Sequence, residues 1–285
     1  MKVIILGANG MLGHVVATYF KEQGHQVFET TKDDKKSKYY YDAYDNVYAI
    51  EEIIKKVQPD AVINCIGVLN AAAENNHALA IMLNSFLPNY LDLLSEKYHF
   101  KFVHITTDCV FEGSVGNYTE DSITDATSFY GRSKAMGEVN NNRTLTLRLS
   151  IVGPDNNPNG IGLFQWFSNQ SGTVTGYSEV YWTGVTTVEL ARIIEEGIKE
   201  NISGLQHVVN NEKIKKADLL RLFEKYFNFG ITVVDDDSKK SDKSLVRTDK
   251  SHDFKVPSYE KMVKNMRKWV DSHLDLYTIL KERMH

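Results

Sequence analysis

The sequence predicts an α/β fold, a parallel sheet wound on both faces by helices, with a smaller C-terminal lobe. Three observations predict it. Short β-branched apolar runs alternate with stretches of helical apolar spacing up to about residue 153. The first run ends directly on a glycine-rich turn that opens a helix. Beyond Gly153-Pro154 the texture shifts to Asp, Asn, Pro and Gly, then to an aromatic-rich stretch over 161–167. At 285 residues the chain has room for one large domain or two unequal lobes.

Lys2 to Leu6 is continuously apolar after its first residue, as a strand buried on both faces must be. Gly7-Ala8-Asn9-Gly10-Met11-Leu12-Gly13 follows, then a helix over 14–20. In this strand–turn–helix context Gly7 allows the tight turn. Gly10 lets backbone approach a pyrophosphate at the helix N-terminus, and Gly13 lets the helix pack on the strand. Asn9, Met11 and Leu12 share that turn and belong to the same candidate cofactor site. A second strand spans 25–30. If it ends at Thr30, Thr31 and Lys32 offer a hydroxyl and a cation to a ribose 2′-phosphate, and NADPH is favoured. If it ends at Phe28, Glu29 meets a 2′-hydroxyl and NADH is favoured. The balance leans to NADPH, with NADH as the alternative.

Residues 39–41 read as a short third strand, with Asp42 either against an adenine edge or forming a turn. A helix covers 49–57. Residues 61–67 form the fourth strand. Cys65, Ile66 and Gly67 then border a cofactor, because open parallel sheets bind ligands beyond the carboxyl ends of their strands. Residues 72–98 are helical, broken or bent around Pro88. Asn84, within that stretch, either back-bonds to the chain or orders water near a site.

The fifth strand, 100–106, runs into Thr107, and a helix over 128–139 carries Tyr130 and Lys134. Four residues apart, these two share a helix face. There an ammonium lowers the phenol's pKa and reaches a ligand's hydroxyls, the pairing needed to exchange a proton with an alcohol oxygen during hydride transfer. Thr107, at the adjacent strand end, is placed to hydrogen-bond a carbonyl. On its own, Tyr-x-x-x-Lys also describes two ordinary surface residues of a helix. The sixth strand spans 144–152. Residues 1–153 thus read as a Rossmann-like NAD(P)-binding half, completed by part of 184–210, and 154–285 as mainly a substrate lobe. That lobe shows strands over 173–177, 205–209 and 231–234 and helices over 187–200, 216–227, 258–269 and 274–281. Residues 240–256 read as polar loop. Arg148, Arg192, Lys213 and Arg247 are the candidate cations for a nucleotide diphosphate. Phe164, Trp166 and Trp182 either stack on a base or fill the core.

Composition sets the outer limits. The formal charge of −4, with dispersed basic residues, points to no nucleic-acid partner. Cys65 and Cys109 lie in or beside apolar runs, as reduced thiols of a cytoplasmic protein do. No apolar run approaches the ~20 residues of a membrane span. No His, Cys or acid cluster has metal-ligand spacing. A homodimer is admitted, not dictated.

Taken together, four features resemble the extended short-chain dehydrogenase/reductase superfamily. They are Gly7-x-x-Gly10-x-x-Gly13, Thr106-Thr107-Asp108-Cys109-Val110-Phe111-x-Gly113, Tyr130-x-x-x-Lys134, and Gly184-Val185-Thr186-Thr187 running into a helix. Within that superfamily the chain is similar to the dTDP-4-dehydrorhamnose reductase family of nucleotide-sugar 4-ketoreductases. The resemblance implies Thr107, Tyr130 and Lys134 as catalytic triad, a nicotinamide cofactor on the first glycine turn, and a 4-keto nucleotide sugar as substrate. Three departures bear on which sugar. Cys109 stands where the family's signature has Tyr, Asn64-Cys65-Ile66-Gly67 where many members have Asn-Ala-Ala, and Val185 where Pro is usual. Two other readings come with the resemblance: a nucleotide-sugar epimerase or dehydratase, and a non-catalytic regulatory subunit like the methionine adenosyltransferase beta subunit. Dehydratases carry Thr-Asp-Glu, and Cys109 occupies the Glu position.

Overall fold

The computed structural model describes residues 1–249 and 251–284. Strands β1 (Lys2–Leu6), β2 (Gln26–Glu29), β3 (Ala61–Asn64), β4 (Lys101–Thr107) and β5 (Leu145–Val152) alternate with helices. These are α1 (Gly13–Glu22), α2 (Ala49–Val57), α3 (Asn70–Asn75), α4 (His77–Ala80), α5 (Leu87–Tyr98) and α6 (Phe129–Met136). β1 shows why the strands pair in parallel and stay buried. Val3 and Ile5 enter one core, Ile4 and Leu6 the core on the opposite face, and all four are fully buried. The sheet runs β2-β1-β3-β4-β5, every pair parallel. Strand order reverses at β1, so the crevice beyond β1 and β3 is the natural ligand position of this architecture.

After β5 come α7 (Leu163–Ser168), β6 (Thr173–Trp182), β7 (Gly184–Thr186), α8 (Thr187–Lys199) and β8 (Gly204–His207). Then follow β9 (Ile214–Lys215), α9 (Lys216–Phe227), β10 (Thr232–Asp242), α10 (Tyr259–Ser272) and α11 (Thr278–Arg283). The outer edge of β5 is shared: β8 pairs with Leu145–Arg148 and β7 with Ser150–Val152, both parallel. The remaining strands make a second sheet, β10-β6-β9. Phe164, Phe167, Phe223 and Phe227 are fully buried there, in the same core as α1 and β1.

Three expected elements differ. Residues 39–41 are not a sheet strand; Tyr40 makes one isolated bridge to Thr31. The chain between β2 and this segment is a tight, charged turn, with Asp34 Oδ1 accepting from Lys36 N at 2.8 Å. It is too short for the crossover a parallel neighbour needs. Next, the helical region over 72–98 is broken around Pro88 as expected, but through a π-helical turn over Ile81–Phe86 that places Pro88 in the first turn of α5, and it is interrupted a second time at Asn76. Last, the strand expected over 231–234 extends to Asp242, so the expected polar loop over 240–256 begins only after a strand end. β10 is an exposed edge carrying Asp235 to Asp237, Lys239 and Lys240, a charged composition that masks strand character while protecting an edge.

Candidate active site

Two adjoining cavities, of about 640 and 380 Å³, open beyond the carboxyl ends of β1, β3 and β4. Gly10, Cys65, Ile66 and Gly67 line both. The larger takes Gly7, Asn9, Thr31, Lys32 and Asp42; the smaller takes Met11, Leu12, Thr107, Tyr130 and Lys134. The structure therefore brings every residue expected in the cofactor site and the catalytic triad, but one, to this crevice. The exception is Gly13, which lines neither cavity.

The glycines of the first turn divide by what requires them. A Cβ on Gly13 would lie 2.1 Å from the Gly7 carbonyl oxygen, and Gly7 itself has φ +74°. The fold demands both. A Cβ on Gly10 would meet only the Gly7 oxygen, at 3.4 Å, so the fold tolerates a side chain there. What a side chain at Gly10 would obstruct is the cavity. No side chain caps the N-terminus of α1, and although His14 N donates to the Gly10 carbonyl at 3.1 Å, the helix end stays open to an anion. An open glycine beside an uncapped helix end suits a pyrophosphate.

Asp42 Oδ1 accepts from the Tyr44 N–H at 2.9 Å, so it forms a turn and also lines the larger cavity. Asn84 takes a role neither expectation described. Its Oδ1 accepts from Val68 N (2.8 Å), and its Nδ2 donates to Val68 O (2.9 Å) and Ser133 Oγ (3.0 Å). It is fully buried and ties the loop after β3 to the middle of α6.

α6 starts on a built N-terminus. Ser128 Oγ accepts from Gly131 N at 3.1 Å, and Glu74 Oε1 accepts from Tyr130 N at 3.0 Å. Tyr130 and Lys134 are buried on its inner face. The Lys134 ammonium donates to the Ile105 carbonyl at 2.8 Å, leaving two of its three protons for other acceptors. Burial lowers its pKa to about 8. Burial raises the Tyr130 phenol above its usual range, with Cys109 adding to the effect and the neighbouring Thr107 hydroxyl opposing it. Lys134 is not among the groups that shift the phenol, so the expected lowering is replaced by a rise set by burial.

Thr107 ends β4. Its Oγ1 accepts from Cys109 N and donates to Asp108 Oδ1, both at 3.1 Å. Asp108 is 7% exposed, and burial raises its pKa against the pull of Thr107, Lys243 and Lys216. Burial and Asp108 together push the Cys109 thiol up to about 12; burial alone does the same for Cys65. Both cysteines line the smaller cavity as neutral thiols. Beneath them His104 is fully buried with its Nε2 unpartnered among the described residues, and burial with the nearby Lys134 holds its pKa well below normal.

The candidate substrate cations are engaged elsewhere. Arg148 forms a buried ion pair with Glu138 at 2.5 Å and contacts His207. Arg192 pairs with Glu189 and Glu196, Lys213 with Asp242, and Arg247 with Asp253. Phe164 is core, Trp182 is buried with its Nε1 donating to Ser150 Oγ at 2.8 Å, and Trp166 is partly exposed. Lys216 and Lys243, which attract Asp108, escaped the sequence reading. They approach from α9 and from the segment after β10, and no local pattern announces a contact that only the tertiary fold creates. Asp33, in the larger cavity, was also missed, although the Thr-x-Asp spacing from Thr31 is a turn signal.

Comparison with known proteins gives the family and the fold. The family model described as RmlD substrate binding domain matches residues 1–268. A protein described as a "probable low-salt glycan biosynthesis reductase" of Haloferax volcanii is 28% identical over 233 residues, covering 76% of this chain and 77% of that protein. The methionine adenosyltransferase 2 subunit beta of Xenopus tropicalis is 24% identical over 241 residues, 80% of this chain and 72% of that one. Among solved structures, dTDP-4-dehydrorhamnose reductase from Bacillus anthracis, in complex with NADP, superposes with a TM-score of 0.79. It shares 20% identity and covers 95% of this chain and 99% of that one, a likeness of fold.

Proposed function

Because this chain belongs to the RmlD substrate binding domain family, we propose that it is an NAD(P)H-dependent reductase of the extended short-chain dehydrogenase/reductase type. Its substrate would be the C4 ketone of a nucleotide-linked 4-keto-6-deoxy sugar, and its product would feed deoxysugar and cell-surface polysaccharide synthesis. One observation carries the reading: Thr107, Tyr130 and Lys134 line one cavity, and that cavity shares Gly10 and Cys65 to Gly67 with the cavity at the glycine turn. Residues 1–153, with part of 184–210, form the dinucleotide half on this reading, and the rest is mainly the substrate lobe.

A nicotinamide dinucleotide, when bound, supplies the hydride. The chain's own residues do the rest. Tyr130 hydrogen-bonds the ketone oxygen, where negative charge develops, and Thr107 joins it by turning its hydroxyl proton from Asp108 Oδ1 to that oxygen. Tyr130 then gives its proton to that oxygen as general acid. A buried phenol with a raised pKa is protonated at neutral pH, the state a reduction requires. Lys134 has two free protons for ribose hydroxyls, and its charge stabilises the tyrosinate left behind. Lys216 and Lys243 line neither cavity but attract Asp108, which lines the smaller one, and they are the cations we assign to the substrate's diphosphate. At Cys109 a thiol held up to about 12 cannot act as the carboxylate base of a dehydratase.

The likeness to a methionine adenosyltransferase beta subunit supports a second reading, a regulatory subunit. One experiment separates them: NADH and NADPH oxidation against a panel of 4-keto nucleotide sugars, with Tyr130→Phe as control. The reductase reading expects turnover with at least one sugar, and a loss of roughly 100-fold or more in Tyr130→Phe with dinucleotide binding retained. No turnover with any sugar, alongside a stable protein partner, would favour the regulatory role.

A further inference from the structure

The loop that follows β2 carries a hydrogen-bonded cluster in the wall of the larger cavity. β2 ends at Glu29, whose carboxylate lies on Lys21 at 2.8 Å and lines neither cavity. The residues that do line the larger cavity are Thr30 to Asp33. Asn9, from the glycine turn, donates through Nδ2 to Thr31 Oγ1 (3.0 Å) and to Asp33 Oδ2 (2.8 Å). Thr31 Oγ1 also accepts from Asp33 N (3.0 Å) and donates to Asp33 Oδ2 (3.3 Å).

Two consequences follow from the valences. The single hydroxyl proton of Thr31 is already committed to a carboxylate, so Thr31 has none to offer a phosphate. Both bonds to the Asp33 carboxylate fall on Oδ2, and Oδ1 has no partner among the described residues. The carboxylate is thus anchored to the pyrophosphate turn by one oxygen, with the other free to accept. A fixed anion with a free acceptor binds a hydroxyl and repels a phosphate. Lys32, next to it in the cavity wall, is exposed and has no side-chain bond among the described residues. Asp33 is exposed as Lys32 is, but it is held in place at Oδ2, and an ammonium that no bond holds offsets only part of that repulsion.

We propose that Asp33, held by Asn9 and Thr31, makes this chain select a dinucleotide with a free adenosine 2′-hydroxyl over one with a 2′-phosphate. The inference rests on the dinucleotide reading given above and runs against the NADPH preference that Thr31 and Lys32 suggest in the sequence. Asn9 and Thr31 are positioning residues here; Asp33 is the group that meets the ribose.

The test needs no sugar. The wild-type chain is titrated with NADH and with NADPH, and binding is read by calorimetry and by quenching of tryptophan fluorescence. NADH should bind at least about tenfold more tightly, the worth of one charge-assisted hydrogen bond. Asp33→Asn should narrow that ratio to near unity, and Asp33→Ser should reverse it, with circular dichroism melts matching wild type. The inference is overturned if NADPH binds wild type as tightly as NADH, or if Asp33→Asn leaves the ratio unchanged. Binding of neither dinucleotide overturns the dinucleotide reading itself, and this inference with it.

Discussion

Lys134 shows how burial sets a working pH. Its ammonium is 5% exposed and held by one carbonyl, and its pKa falls to about 8. On the proposed mechanism the protonated form is needed to stabilise the tyrosinate. The sign is direct: below about 8 Lys134 is charged and active, and above it the charge is lost. We expect kcat/KM for ketone reduction to fall as pH rises from about 7 to about 9. A flat profile over that interval would remove Lys134 from this role. Tyr130 adds no limb in the same window, because its pKa lies above the usual phenol range. At this scale much of the site was legible. Tyr130, Lys134 and Thr107 declare themselves by residue type and by position after strands. Asp108 does not, since its chemistry comes from burial and from lysines far along the chain.

Among the elements, the π-helical turn before α5 is the most consequential departure from expectation. Pro88 cannot donate a hydrogen bond to the carbonyl of Asn84, so the regular ladder is broken there. α6 ends against this point at Gly137, where a Cβ would lie 1.9 Å from the Asn84 carbonyl oxygen. The missing side chain at 137 lets the two helices meet, and the meeting holds Asn84 on Ser133 between Tyr130 and Lys134. Gly137→Ala should therefore destabilise the fold by about 1–3 kcal/mol in urea unfolding, an overpacking effect. It should also lower turnover, because α6 must shift. Unchanged stability would show that the contact yields freely. Periodicity finds a helix over this region but cannot find the π turn, which arises from how Asn84, Pro88 and Gly137 fit across two helices. The third strand expected at 39–41 failed for a related reason: β-propensity was present, and room for a crossover was not.

Across the whole molecule, a buried chain of rings ties the glycine turn to the C-terminal helices. His14 Nδ1 lies 2.9 Å from the Gly10 carbonyl and must donate to it. Its Nε2 therefore accepts from the Tyr277 hydroxyl at 3.0 Å, and that hydroxyl accepts from Trp269 Nε1 at 2.9 Å. The ring is neutral in this arrangement, and burial lowers its pKa from 6.5. A histidine with a lowered folded pKa contributes stability that is present above its unfolded value and lost as pH falls below it. Melting temperature should thus drop as pH falls below about 6.5, and the drop should be shallower in His14→Gln. Tyr277→Phe should cost about 1–3 kcal/mol at neutral pH by leaving Trp269 and His14 unpartnered. Equal acid slopes in wild type and His14→Gln would assign the effect to other groups, His104 first among them. The overall α/β plan was readable from alternating strands and helices. This long-range tie was not, because its partners lie 263 residues apart and share no pattern.

The shared outer edge of β5 has a consequence for how the chain is made. A ribosome delivers β1 to β5 in sequence, and each can pair as it emerges with a strand already present. β5 cannot complete its pairing until β7 and β8 arrive, Gly184 to His207. Through that interval Leu145 to Val152, almost wholly apolar in its inward positions, presents an open edge to whatever is nearby. The hazard of misassembly during synthesis is therefore concentrated in one strand and one stretch of translation, between the end of β5 and the emergence of His207.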